Sequence, residues 1–161
     1  MSDDAAEQAE RRQLAEDFVL AMRRTGSVMQ LVNQAAADRI GINTTDLNCL
    51  NIVALTGAMT AGELAKATGL TTASITGVLD RLEEGGFVRR ERDASDRRRV
   101  IVQLNLGRGL RDVAPVFAPM LVAWRAGTAR YTDDELRLIL GFQLEVEQIL
   151  RDQLARLRTG A

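Results

Sequence analysis

The chain has 161 residues, a net charge of −1, 46% hydrophobic and only 4% aromatic residues. That length allows one compact domain or a small domain with extra helices, and the plentiful Ala and Leu favour helix over sheet. The absence of histidine, with Cys49 as the only cysteine, excludes a disulfide framework and leaves no cluster for a metal, so no cofactor is expected. The polar start MSDDAAEQAERRQ has no apolar signal core and no stretch approaches a membrane span, so a soluble cytoplasmic protein is expected.

From residue 5 to 38, Leu14, Phe18, Ala21, Met22, Val28, Leu31, Val32 and Ala35 recur at three- and four-residue steps. That period predicts one long helix, weakened in its middle by Gly26 and ended by Gly41. Thr44 or Thr45 is expected to cap a second helix through Leu47, Leu50 and Val53, stopping at Gly57. In MTAGELAKATG, Thr60 and Glu63 have the spacing of a capping box, and Met59 and Leu64 that of a hydrophobic staple. Gly69 suits a left-handed helix end. The segment TTASITGVLDRLEEGG starts another helix, capped by Thr71 or Thr72, with Ile75, Val78, Leu79 and Leu82 as its buried stripe. Two short helices joined by a glycine turn make a helix-turn-helix.

A strand from Phe87, a charged loop and the strand RVIVQLN then predict a β-hairpin with its tip at 93–98 and with Val100, Val102 and Leu104 on one face. Six arginines crowd into 89–99, interleaved with Glu91, Asp93 and Asp96. Solubility alone does not need those arginines, and a merely positive loop would omit the acids. Two further helices are expected, at about 108–130 (disturbed near Pro115 and Pro119) and 133–158, the latter opening with a Thr132/Glu135 capping box. Leu136, Ile139, Leu140, Val146, Ile149, Leu150, Leu154 and Leu157 give the last helix a stripe too wide for a lone solvated helix. A partner subunit is its natural cover.

In this order the elements resemble the MarR family of winged-helix transcriptional regulators over nearly the whole chain. The match is densest in MTAGELAKATGLTTASITGVLDRLEEGGFVRRERDASDRRRVIVQLN and ends in the Asp96-x-Arg98 signature. The resemblance implies a mainly α fold with a small β-hairpin. A winged helix-turn-helix at 42–106 would be flanked by dimerisation helices at 1–40 and 107–161, and the homodimer would bind double-stranded DNA. In the family the second helix of the pair enters the major groove and the hairpin tip, or wing, the minor groove. The outward positions of that helix are small or hydroxylated, namely Thr72, Ala73, Ser74, Thr76 and Gly77, and then Asp80 and Arg81. Small residues permit close approach, hydroxyls can donate or accept, and methyls can touch thymine. The expected DNA-binding set is Thr71, Thr72, Ser74, Thr76, Gly77, Arg81, Arg92, Asp96, Arg97 and Arg98. Within it, Asp96 braces Arg98 as the minor-groove probe, with Arg97 the competing choice. Arg89, Arg90, Arg92 and Arg99 are expected to divide between phosphates and ion pairs with Glu91 and Asp93. Asn105 and Ala94 depart from the threonine and proline common in the family at those positions.

The function so implied is a repressor released from a pseudo-palindromic operator by a small effector, often aromatic or anionic. Two alternatives stand beside it: a redox-responsive regulator triggered by Cys49, and a protein-interaction module without DNA binding. Cys49 reads more simply as a small buried hydrophobe, since redox-sensing members carry their cysteine near the start of the first helix. No nucleophile–base pair or phosphate loop can be assembled, so an enzyme is not expected.

Overall fold

Helix α1 (Ser2–Ile40) runs without interruption through Gly26 in the computed structural model, which describes residues 2–93, 96 and 99–159. Gly41 ends it at φ 83°, with the Gly41 and Ile42 N–H groups both donating to the Ala37 carbonyl at 2.9 and 3.0 Å. Helix α2 (Thr44–Thr56) is capped by Asn43 rather than by Thr44 or Thr45. The Asn43 Oδ1 accepts the Asp46 N–H at 2.8 Å, while its Nδ2 donates to Asp46 Oδ2 at 2.9 Å. An amide offers acceptor and donor together, and the carboxylate it holds lies near the positive end of the helix.

The chain divides into two compact units, Met1–Asn48 and Cys49–Ala161. In the second, β1 (Met59–Thr60) leads directly into α3 (Ala61–Thr68), followed by α4 (Thr72–Glu84), β2 (Val88–Arg92) and β3 (Val100–Leu104). The expected hairpin is therefore part of a three-stranded antiparallel sheet in the order β1-β3-β2. Met59 pairs with Val102 and Thr60 with Ile101, while Val88 to Arg92 pair with Leu104 to Val100. Thr60 has extended backbone (φ −79°, ψ 158°), so one residue both closes β1 and caps α3. The capping box at Thr60 and Glu63 is complete, and Gly69 takes the left-handed form at φ 74°.

Leu64, Ile75, Val78, Leu79, Leu82, Phe87, Val88 and Val102 form the core of this lobe, each 3% exposed or less. The strand face expected at Val100, Val102 and Leu104 is graded, from buried Val102 to Val100 at 48% exposure.

The helix expected at 108–130 is broken into three parts: a turn α5 (Leu106–Arg108), a π-helical turn (Gly109–Val113), and α6 (Ala114–Thr128). Pro115 has no N–H to return to the preceding turn, and the chain widens just before it. Pro119 is carried inside α6. Helix α7 (Asp133–Thr159) opens with the expected second capping box, the Thr132 N–H donating to Glu135 Oε2 at 2.7 Å and the Glu135 N–H to Thr132 Oγ1 at 3.3 Å. Along the long helices the apolar side chains stand open in the single chain: Leu14, Leu31, Leu138 and Leu157 are each at least 70% exposed. Among the described residues no helix is long and apolar enough to cross a membrane.

Candidate nucleic-acid interface

Thr71 is the cap of α4: its Oγ1 accepts the Ser74 N–H at 3.1 Å and lies 2.8 Å from Ser74 Oγ. Thr72 is thus the first helical residue. The buried stripe of Ile75, Val78, Leu79 and Leu82 turns Thr72, Ala73, Ser74 and Thr76 outward, all exposed, with Gly77 half-buried between them. The Thr76 hydroxyl donates to the Thr72 carbonyl at 3.0 Å, which leaves its lone pairs and methyl to face out. No charged side chain occurs on α4 before Asp80. Asp80 and Arg81 follow, both exposed.

Arg90 joins this helix to the sheet. Its Nη2 donates to Asp80 Oδ1 at 2.7 Å and reaches the Thr76 carbonyl at 3.4 Å, and its Nη1 donates to Glu83 Oε2 at 2.7 Å. Its backbone N–H also donates to Glu83 Oε1, at 3.1 Å. Burial lowers the guanidinium pKa, but the bonds from Asp80 and Glu83 outweigh that and raise it, so Arg90 is a permanent cation. The expected pairing of Arg90 with Glu91 or Asp93 is thereby corrected. Successive strand side chains point to opposite faces, which puts Arg90 with Val88 toward α4 and leaves Arg89 and Glu91 to pair with each other at 2.9 Å.

Arg99 also pairs away from the hairpin acids, with Nη2 at 3.3 Å from Glu63 Oε1. Glu63 therefore serves twice. Oε2 accepts from the Thr60 N–H at 2.7 Å and hydroxyl at 2.8 Å, while Oε1 faces the base of the hairpin. Those two bonds from Thr60 hold the Glu63 carboxyl below its ordinary value of 4.5, against the opposing pull of burial, and Arg99 adds to the lowering. A carboxyl depressed in the folded state stabilises fully above its unfolded value and loses that contribution as pH falls through the folded value. Glu63→Gln should accordingly melt below the wild type near neutral pH, and the difference should close as pH drops below 4.5. Thermal melts followed by circular dichroism across that range check it. A difference that persists at low pH would mean that the charge of Glu63 contributes nothing.

Arg92, exposed, ends β2 opposite Val100. Beyond it, the Asp93 N–H donates to the Arg99 carbonyl at 3.0 Å and the Arg99 N–H to the Asp96 carbonyl at 2.9 Å. Asp96 is exposed, with its N–H near Asp93 Oδ1 at 3.3 Å. Arg97 and Arg98 lie outside the described residues, as does any contact between Arg98 and Asp96.

Two further arginines grip the lobe from later in the chain, and no local sequence signal marks them. Arg108 Nη1 donates to the Gly85 carbonyl at the end of α4, and its guanidinium lies 4.3 Å from the Phe87 ring centroid. Asp112 lies 2.9 Å from Arg108 Nε, an ion-pair contact rather than an aligned hydrogen bond. Arg158 of α7 donates to the Lys66 and Thr68 carbonyls at the end of α3, at 3.3 and 2.6 Å. Cations at helix C-termini complement the macrodipole there. Cys49 is fully buried, the environment of a packed hydrophobe rather than of an accessible thiolate. Among the described residues no group of histidine, cysteine, aspartate or glutamate could hold a metal ion.

Comparison with known proteins gives this geometry a context. Residues 42–100 match the MarR family model. YcgE, an HTH-type transcriptional regulator of Bacillus subtilis, is 38% identical over 148 residues, 92% of this chain and 96% of that protein. A MarR family protein from Bacillus stearothermophilus shares the fold with a TM-score of 0.65 at 21% identity, covering 88% of this chain and 97% of that one. A mutant of S. aureus MepR bound to an oligodeoxyribonucleotide does so with a TM-score of 0.55 at 17% identity, over 83% and 97%. A helix-turn-helix with a β-hairpin beside it, and a relative that similar along nearly its whole length, lead to one conclusion: the chain belongs to the MarR family of winged-helix transcriptional regulators.

Proposed function

We propose that the protein is a sequence-specific repressor, acting as a cytoplasmic homodimer on a pseudo-palindromic operator and released from it by a small aromatic or anionic molecule. One observation carries the reading: the first two turns of α4 present only small, hydroxylated or glycine positions, and the arginine-rich hairpin stands beside them. A helix trimmed in this way can seat its backbone deep in a major groove, and the guanidinium groups next to it suit phosphates and the narrow minor groove. The apolar faces of the segments at 1–40 and 107–161 supply the dimer contact, and 42–106 the DNA-binding lobe. A two-fold dimer reads half-sites about one helical turn, on the order of 10 bp, apart. The effector acts by favouring the form whose recognition helices are wrongly spaced, with a coupling of about 1–3 kcal/mol.

Selecting bound fragments from genomic DNA with the purified protein tests the class. Affinity should fall with salt at a log–log slope of about −0.9 per neutralised phosphate. Failure to retain any duplex would remove the reading. On the selected operator, Arg98→Ala should cost about 1–3 kcal/mol. Asp96→Ala should weaken binding as well, although it removes a negative charge. Tighter binding by Asp96→Ala would show that the acid is no brace.

A further inference from the structure

We infer that Arg90 is a positioning residue for sequence recognition: it fixes the roll of α4 about its own axis and so decides which base edges the helix reads. The inference rests on the reading of α4 as the recognition helix. It departs from the simpler role of a hairpin arginine as a phosphate contact.

Ile75, Val78, Leu79 and Leu82 seat α4 firmly on the lobe, but apolar burial is non-directional and tolerates small rotations. Arg90 grips a neighbouring line of the helix at Thr76, Asp80 and Glu83, positions four and three residues apart that lie on one face. Those points span about two turns, roughly 10 Å at ~1.5 Å per residue. The planar guanidinium divides its N–H groups between them, with 2.7 Å bonds to both carboxylates. The anchor is itself stiff: Arg90 sits mid-strand, opposite buried Val102, in a ladder whose other side is held by β1.

The side chain is only 26% exposed. Donors spent on α4 are not offered to DNA. Base discrimination depends on hydrogen-bond directions at groove edges, so a helix free to roll would keep its phosphate contacts while blurring its choice of sequence.

The test uses full-length dimer and two labelled duplexes of equal length, one selected by the wild type from genomic fragments and one scrambled. Fluorescence anisotropy across a salt series is read for Arg90→Met, Asp80→Asn and Glu83→Gln. Each should lower affinity for the selected duplex about tenfold or more while changing that for the scrambled duplex by about twofold or less. The salt slope of Arg90→Met should match the wild type. The sign for Asp80→Asn and Glu83→Gln is the discriminating part: both remove negative charge beside the DNA yet should weaken specific binding. Asp80 is 61% exposed, so its variant keeps the fold even if Arg90→Met does not.

Equal losses on both duplexes with a slope reduced by about 0.9 would make Arg90 a phosphate contact and overturn the inference. So would an unchanged preference in Asp80→Asn, or tighter binding in either carboxylate variant. A wild type that retains no duplex would instead overturn the proposed function, and this inference with it.

Discussion

Gly77→Glu should lose about a hundredfold or more in operator affinity, roughly 3 kcal/mol, with a melting temperature equal to or above that of the wild type. A Cβ built at Gly77 would meet only Arg81 Nη1 at 3.6 Å, an ordinary contact. The position lies inside α4, where glycine costs about 0.5–1 kcal/mol relative to alanine. The fold thus gains nothing from glycine there, and close approach of another molecule is what remains to explain it. Glutamate adds bulk and a negative charge where the helix would meet the duplex, while its helix propensity exceeds that of glycine. Gly77→Ala is the milder case and should raise stability by about 0.5–1 kcal/mol. Thermal melts and anisotropy on the selected operator separate the two effects. Full affinity in Gly77→Glu would move the reading face off this side of α4.

Leu79→Ala should have the largest effect on folding, about 2–5 kcal/mol, from lost transfer energy plus the cavity left behind. Leu79 is 1% exposed and belongs to the stripe that seats α4. Domains of this kind are held by about 5–15 kcal/mol in all, so a large share of the stability rides on that one side chain. Urea unfolding followed by circular dichroism gives the value. A cost below about 1 kcal/mol would mean that the site collapses around the smaller residue.

What could be read from sequence was what is written locally. The boxes at Thr60 and Thr132 are four-residue patterns, and both closed as expected. The α4 stripe follows from helical period alone. Its hydroxylated outer face came with it, because burying one side of a helix decides the other. Most of the misses are non-local or too short to show a period. Strand β1 has two residues and pairs with a strand some forty positions later, so nothing in MTAGELAKATG announces it. Arg99 found Glu63 across 36 residues, where the nearby Glu91 and Asp93 looked like the obvious partners. Arg90 was nearer to reach: strand alternation from Val88 already turns it away from Arg89 and Glu91 and toward α4, a signal that charge counting overlooks. The Asn43 cap was missed because two threonines beside it offered the same chemistry.

The central place of β3 constrains how this architecture can change its reach. Because that strand is zipped along both borders, an extra residue within it would turn Val102 toward water and unfasten two seams at once. Lengthening or shortening is tolerable only between Asp93 and Arg99, beyond the register that joins Arg92 to Val100. Relatives that probe DNA further out, or designed variants meant to, should carry their insertions in that interval and leave both strands at their present length.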